Sequence, residues 1–429
     1  MTGPTLAAGP RPRALAAGAG RGRDDGPVTP DASLLSAEGQ ELLAWLSGRD
    51  VSPDQALRLA EELRGRYPPG LVAAALTQQA LRTAGRSKFS LADSMLFTRA
   101  GLEQASSDLT AGHSARRFAA FGLVADLCCG IGGNLAALAG AAEHVLAVDR
   151  DPTALLFAMR NALVHGVAGK VTPLCADVRD LVLPAVGSPG TTVGSGRRVG
   201  GIFIDPARRT GDRRLRAGAS EPPLAWCFAL ADRVPAVGIK AAPGLPHELV
   251  PPGWETEFVA TGRNLKEALL WSPALATASR RATILPGGHT LTTAPGPPVP
   301  VAAPGEYLLD PSPAVTRAGL VEELARDLGA WKIDPMIAFL AADREISTPF
   351  GRTLRVLESM PWNERQAARR LRALGIGAAS IRRRGLAGDV QEIHRRLDLS
   401  GERSATIVLT RRDGKPWGLI CTDVPASGP

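Results

Sequence analysis

Asp126-Leu127-Cys128-Cys129-Gly130-Ile131-Gly132-Gly133-Asn134 follows the apolar run Leu123 to Leu127 and leads into an Ala/Leu-rich stretch. An apolar strand that enters a turn of small residues and leaves it as a helix is the geometry of a nucleotide-binding loop. The small residues let the backbone approach a ligand, and the helix turns its free N–H groups and positive dipole end toward it. Acidic residues recur after the next apolar runs. Asp149 ends the second, Asp177 follows the third, and Asp205-Pro206-Ala207-Arg208 follows the fourth.

Residues 122 to 275 alternate short apolar runs with helical stretches, which predicts an α/β domain with a doubly wound, mostly parallel Rossmann-like sheet. The predicted strands are Leu123–Leu127, His144–Val148, Lys170–Pro173, Gly201–Ile204 and Ala236–Lys240. Two more, Glu255–Ala260 and Glu267–Trp271, flank the polar turn Thr261-Gly262-Arg263-Asn264 and read as an antiparallel hairpin. A doubly wound sheet closed by such a hairpin is the layout of a class I methyltransferase, whereas dehydrogenases continue with parallel crossovers. Gly187–Arg198 (GSPGTTVGSGRR) reads as a surface loop.

The predicted organisation is a disordered leader at 1–30, a helical module at 31–121, the α/β domain at 122–290, a Pro-rich linker at 291–304 and a small basic α/β domain at 305–429. In the helical module Ser52-Pro53-Asp54-Gln55 reads as a capping box, and Leu57, Leu59 and Leu63 recur on the helix that follows. The segment 90–117 is polar for a core and reads as a solvated helix pair. In the tail, Asn363 and Asp389 are predicted helix caps, and Ala405–Thr410 pairs with Trp417–Thr422 across Asp413-Gly414.

The chain has 429 residues, 45% apolar content and a formal charge of +8, enough for several domains with sizeable cores. Its five cysteines form no C-x-x-C pair and have no histidine at ligand spacing, so neither a structural metal nor a disulfide framework is expected. No stretch approaches the roughly 20 apolar residues needed to cross a bilayer, and the first 30 residues lack the apolar core of a secretory signal. The expected location is the cytoplasm, with no membrane partner.

Each part of the strand-end constellation has a chemical job. Gly130, Gly132 and Gly133, with Cys128 and Asn134 beside them, leave room for the methionine part of S-adenosylmethionine (SAM), and Asp126 faces its amino group. Asp149, 23 residues after Asp126 and followed by Arg150, suits two ribose hydroxyls. Asp177 and Val178 suit adenine. Asp205, which also belongs to the cofactor-binding set, and Pro206 offer a carboxylate and a carbonyl beside the sulfonium that accept hydrogen bonds from an acceptor nitrogen and orient its lone pair, which is positioning catalysis. A nicotinamide cofactor shares the glycine turn and the distant acid, but C-C-G-I-G-G is not G-x-G-x-x-G, and Asp205-Pro206 has no part in hydride transfer.

The strings D-L-C-C-G-I-G-G-N, V-D-R-D-P, N-A-L-V-H-G-V, A-D-V and I-D-P-A-R-R resemble class I SAM-dependent methyltransferases that act on RNA, especially the trimethylguanosine-synthase-like group. The tail, from Tyr307-Leu308-Leu309-Asp310-Pro311 through Pro361-Trp362-Asn363 to Ile407-Val408-Leu409-Thr410, resembles the THUMP-like domain of bacterial methyltransferases. The resemblance implies methyl transfer to an RNA base nitrogen in tRNA or rRNA. Relatives with that specificity carry Pro-Pro and an aromatic residue where Ala207 and Arg208 stand, so base stacking here falls to the Arg208 guanidinium plane. The alternatives are a non-catalytic SAM-fold RNA-binding factor, or a methyltransferase acting on a protein or small molecule. A cysteine-dependent attack on pyrimidine carbon 5 needs a thiol after the fifth strand, where none stands; Cys227 precedes that strand and reads as a core thiol.

Between Trp362 and Lys415, thirteen Arg and Lys stand against six Asp and Glu, so nearly all the excess charge lies in the tail. Arg369, Arg370, Arg372, Arg382, Arg383, Arg384, Arg395 and Arg396 are the expected phosphate-tracking face. Arg208, Arg209, Arg213, Arg214 and Arg216 form a second cluster directly after Asp205-Pro206, placed to clamp substrate phosphates.

Overall fold

The computed structural model describes residues 33–183, 198–207, 209–210, 213–214, 219–386, 388–397 and 399–424. The expected leader, all of the loop Gly187–Arg198 except Arg198, and the residues Arg208 and Arg216 lie outside these, as do the side chains of Arg209, Arg213 and Arg214. The chain divides into two compact units. The described residues up to Val182, with 198–199, form the first; Leu183 and the described residues from Gly200 onward form the second.

The first unit opens with helices α1 (Ala37–Leu46), α2 (Pro53–Leu63), α3 (Pro69–Gly85), α4 (Arg99–Gln104) and α5 (Asp108–Ala115). Leu42, Leu43, Leu46, Leu63 and Phe97 are buried together with Ile131 of the glycine turn and Phe157, so the helical module shares one core with the loop it flanks. The capping box is not made: Ser52 precedes α2 without capping it, and its hydroxyl donates to Asp50 at 3.1 Å. Leu57 is 66% exposed, while Leu59 and Leu63 are buried. The segment 90–117 is also less solvated than its composition suggests: Met95, Leu96 and Phe97 are buried, and so are the polar residues Ser106, Thr110 and Ser114.

Next come β1 (Leu123–Leu127), α6 (Leu135–Ala141), β2 (His144–Asp149), α7 (Pro152–Val164) and β3 (Val171–Cys175). The three strands pair in parallel, Leu127 opposite Val148 and Asp149 opposite Cys175. The predicted Lys170–Pro173 strand thus begins and ends slightly later. Pro173 is tolerated because β3 is the edge strand of its sheet.

The second unit holds β4 (Gly201–Ile204), the short pair β5 (Arg209–Thr210) and β6 (Arg213–Arg214), α8 (Leu224–Ala229), β7 (Ala236–Ala241), β8 (Glu255–Thr261), β9 (Asn264–Trp271), β10 (Arg280–Leu285) and β11 (His289–Thr292). In this unit the strand order is β11-β10-β8-β9-β7-β4, and in the first unit β1-β2-β3, the strands of a doubly wound, mostly parallel α/β fold. The β8–β9 hairpin is present, with β9 antiparallel to both β7 and β8. It does not close the sheet, since β10 adds in parallel to β8 and β11 follows antiparallel. The run Ala282 to Leu285, three apolar residues and Thr283, is too short to announce a strand without its neighbour.

Beyond them stand β12 (Tyr307–Pro311), α9 (Pro313–Ala318), α10 (Val321–Leu328), β13 (Trp331–Lys332), β14 (Leu340–Ala342), β15 (Gly351–Pro361), α11 (Glu364–Ala373), β16 (Ile376–Arg383), α12 (Val390–Arg396), β17 (Arg403–Arg412) and β18 (Lys415–Asp423). Their sheet has the order β13-β14-β12-β15-β18-β17-β16. Asn363 caps α11 and Asp389 caps α12 through their side chains. Asp413 and Gly414, both at positive φ (51° and 74°), form the two-residue turn that joins β17 to β18. The Pro-rich stretch before β12 is tied down: the Trp331 indole donates to the Ala303 carbonyl at 2.7 Å, and Arg326 to that of Ala294 at 2.9 Å.

Candidate active site

In the first unit the glycine turn is held at both ends. The Cys129 N–H donates to the Val148 carbonyl at 3.1 Å, and the Gly130 N–H donates to Asp149 Oδ2 at 2.8 Å. Asp149 Oδ1 accepts from the Asp151 N–H at 2.9 Å, so the carboxylate is fixed at the end of β2 and keeps lone pairs for a ligand. Asn161 on α7 supplies a clamp that sequence reasoning passed over: its amide donates to the carbonyls of Ile131 at 2.9 Å and Leu96 at 3.0 Å. The string N-A-L-V-H-G-V contained it, but a buried amide reads no differently from a solvated one.

The three glycines divide their work. Gly130 (φ +54°) has open space where a side chain would project. At Gly132 (φ +84°) a Cβ would lie 3.2 Å from Ala158 Cα, and at Gly133 2.8 Å from Ala105 Cβ, so both are small in order to pack against protein. Cys128 also lies at positive φ, 57°. Asp126 is 1% exposed, and Asn134 Oδ1 is buried with no hydrogen-bond partner among the described residues. Burial and the nearby Asp126 and Asp149 push the Cys129 thiol well above its ordinary value.

Asp177 and Arg150 differ from expectation in their surroundings. The Asp177 carboxylate accepts from Arg179 Nε at 2.9 Å and Nη2 at 2.6 Å, and caps the turn Val178–Asp180 by accepting from the Arg179 N–H. The side chain thus holds its own turn; Val178 beside it is buried. Hydrogen bonding to Arg179 lowers the Asp177 pKa to about 2 from 3.8, with Arg150, which is exposed, adding a smaller pull. Because the folded value is depressed, the associated stability is present above the unfolded value and is lost as pH falls from about 3.8 through about 2. In an Arg179→Ala variant the Asp177 midpoint is expected to rise from about 2 toward, but short of, 3.8, because the backbone N–H of residue 179 still donates, as carbon-13 NMR would show; an unchanged midpoint would remove the Arg179 side chain as the main cause.

In the second unit Asp205 follows β4. Ile204 pairs with Ile239 across the parallel β4–β7 ladder, so the next residue of each strand, Asp205 and Lys240, are neighbours. Lys240 Nζ donates to Asp205 Oδ2 at 2.6 Å, with the lysine side chain 3% and the aspartate 20% exposed. Lys240 was missed from sequence, although a lysine at the end of the apolar run Ala236 to Ile239 was the available signal. Pro206 is buried, and Ala207 exchanges two backbone hydrogen bonds with Glu221 at 2.8 and 2.9 Å, which pins the loop. Cys227 is fully buried, its thiol pushed up to about 12 by desolvation, which is the state of a core thiol and not of a nucleophile.

Two curated proteins of Mycobacterium tuberculosis, from strains CDC 1551 and H37Rv, are each described as an uncharacterised S-adenosylmethionine-dependent methyltransferase. Each is 37% identical to the chain over 324 residues, covering 74% of it and 84% of the relative. The chain belongs to this family of SAM-dependent methyltransferases. Residues 121–193 match the family described as RNA cap guanine-N2 methyltransferase, and residues 351–423 match the THUMP domain-like family. The crystal structure of a candidate methyltransferase from Porphyromonas gingivalis W83 shares the fold, with a TM-score of 0.67 at 22% identity over 90% of this chain and 98% of that one.

The residues of this methyltransferase fit its cofactor. The open space at Gly130, the orphaned Asn134 Oδ1 and the strand-end carboxylate of Asp149 together make a polar cradle for a nucleoside bearing an amino-acid group.

Several tail arginines of the methyltransferase have partners within the C-terminal sheet region. Arg369 is exposed, but Arg370 pairs with Glu358, Arg383 donates to the Gly388 carbonyl, and Arg396 pairs with Glu392 and Glu364. Arg382 and Arg384 instead turn toward Asp310, because residues two apart lie on the same side of an extended chain. Among the described residues no helix is long and apolar enough to cross a membrane, and no group of three potential metal ligands occurs.

Proposed function

We propose that the protein transfers the methyl group of SAM to a base nitrogen of a cytoplasmic tRNA or rRNA, with the THUMP-like tail binding that RNA. The observation that carries this reading is the fixed Asp205 carboxylate at the end of β4, followed by Pro206. A carboxylate offers acceptors only, so the group it can orient is a hydrogen-bond donor, and a base N–H is one that carries a lone pair once positioned. When bound, SAM supplies an electrophilic methyl on a sulfonium. Lys240 holds the carboxylate by Oδ2, and the pinned loop at Ala207 keeps the Pro206 carbonyl in place. The nitrogen is thereby held with its lone pair free, and no acid or thiol nucleophile is required. Asp126, Asn134 and Asp149 serve the cofactor.

The test is transfer of radiolabelled methyl from SAM to total RNA from a strain lacking the protein. Label in a discrete tRNA or rRNA species supports the reading. Label in protein or in no macromolecule, with SAM binding intact, would replace it with another acceptor or with a non-catalytic role, a second reading that the departure at Ala207 from the Pro-Pro pattern favours.

For the cofactor site, Asp149→Ala is expected to weaken SAM binding by about tenfold or more, since it removes charge-assisted hydrogen bonds and the Gly130 anchor. Asp205→Asn should leave the affinity within about twofold. Equal affinities for both variants in calorimetric titration would sink the assignment.

A further inference from the structure

Within the second unit a cleft of about 420 Å³, in the range of small-ligand sites, opens between the β8–β9 turn and the C-terminal sheet. Four guanidinium groups line it. They come from the turn (Arg263), from β15 (Arg352), and from the end of β16 and the residue after it (Arg382 and Arg384). At their centre stands Asp310, 8% exposed, at the end of β12. Arg384 is built in: it donates to Asp310 at 2.7 Å and to the Pro311 carbonyl at 3.1 Å, and it lies 5.1 Å from the centre of the Phe339 ring. Arg352 pairs with Asp423.

Arg263 and Arg382 are placed differently. They stand 3.6 and 3.9 Å from Asp310, beyond hydrogen-bonding distance, with side chains 50% and 46% exposed. Two carboxylates therefore face four guanidinium groups. Desolvation, then Arg382 and Arg352, lowers the Arg263 pKa below its ordinary value. An anion with several oxygens would relieve this crowding, and the forked donors of arginine match a phosphate better than a point charge does.

We propose that this cleft seats a phosphate of the RNA chain, with Arg263 and Arg382 as the donors that reach it and Asp310 and Arg384 as the scaffold that aims them. This rests on the reading that the acceptor is RNA. It moves the contact away from the helical arginines and brings in Arg263, which lies on the hairpin of the catalytic sheet.

The experiment measures binding of a fluorescently labelled, mixed-sequence single-stranded RNA by anisotropy across a salt series, using the full-length protein. An Arg263→Ala, Arg382→Ala variant is compared with the charge-matched Arg58→Ala, Arg64→Ala, whose arginines are exposed on and after α2. The cleft variant is expected to bind about tenfold more weakly, with the slope of log affinity against log salt reduced by about 1 to 2. The control should stay within about twofold of wild type. Equal affinity of the two variants overturns the cleft. Wild-type protein that holds no RNA even at low salt overturns the acceptor reading itself, a separate failure. Calorimetric titration with inorganic pyrophosphate and adenosine diphosphate distinguishes the source of the phosphate. Arg263-dependent heat with either, alongside unchanged RNA affinity, would assign the cleft to a free phosphate ligand and overturn the RNA seat.

Discussion

Methyl transfer by an Asp205→Ala variant is expected to fall by about 10²- to 10³-fold, the usual scale for losing one group that positions a reacting atom. The single substitution alone is an incomplete test. It takes from Lys240, 3% exposed, the carboxylate of a buried ion pair, so part of any loss comes from the fold. The double variant Asp205→Leu, Lys240→Met removes both charges and keeps the volume apolar. It is expected to bind SAM like wild type and to show the same loss of transfer. Asp205→Asn, whose amide oxygen still accepts a hydrogen bond, should retain more activity than either. Full transfer by the double variant, read from label incorporated into RNA, would remove Asp205 from the reaction.

Lys240→Met gives the second large effect, this time on stability. The substitution strands the Asp205 carboxylate beside the buried β4–β7 ladder with only a fifth of it exposed. Breaking a buried pair from one side costs about 3 to 5 kcal/mol, and the partial exposure of Asp205 places the expected loss near about 3 kcal/mol. Removing both partners should restore most of it, because the desolvation cost of the remaining charge disappears. Urea denaturation of the two single variants, the double variant and wild type measures the coupling directly. If the Lys240→Met protein unfolds at the wild-type urea concentration, the ion pair holds nothing, and the fixed orientation of Asp205 loses its cause.

The pair also shows what a linear reading of this chain can reach. The apolar runs Leu123 to Leu127, His144 to Val148 and Gly201 to Ile204 are continuous because parallel strands are covered on both faces, so strand positions and the acids at their ends are legible from residue type alone. The β8–β9 hairpin is legible from its polar turn, and the α11 and α12 caps from Asn363 and Asp389. Strands β10 and β11 are not, because so short a run as Ala282 to Leu285 acquires meaning only from β8 beside it.

Local chemistry therefore determined the doubly wound sheet, the glycine turn and the placement of Asp126, Asp149, Asp177 and Asp205 at strand ends, since hydrophobic period and turn preference act over a few residues. Only the tertiary structure decided what each polar side chain meets. Asp177 caps its own turn through Arg179, Gly132 and Gly133 make room for Ala158 and Ala105, and Lys240 finds Asp205. A run of arginines that looks uniform in sequence is divided by pairing, and Arg382 joins Arg263 from more than a hundred residues away around Asp310. Charges and hydrogen bonds act through space over a few ångströms, so their partners are fixed only when distant strands come together.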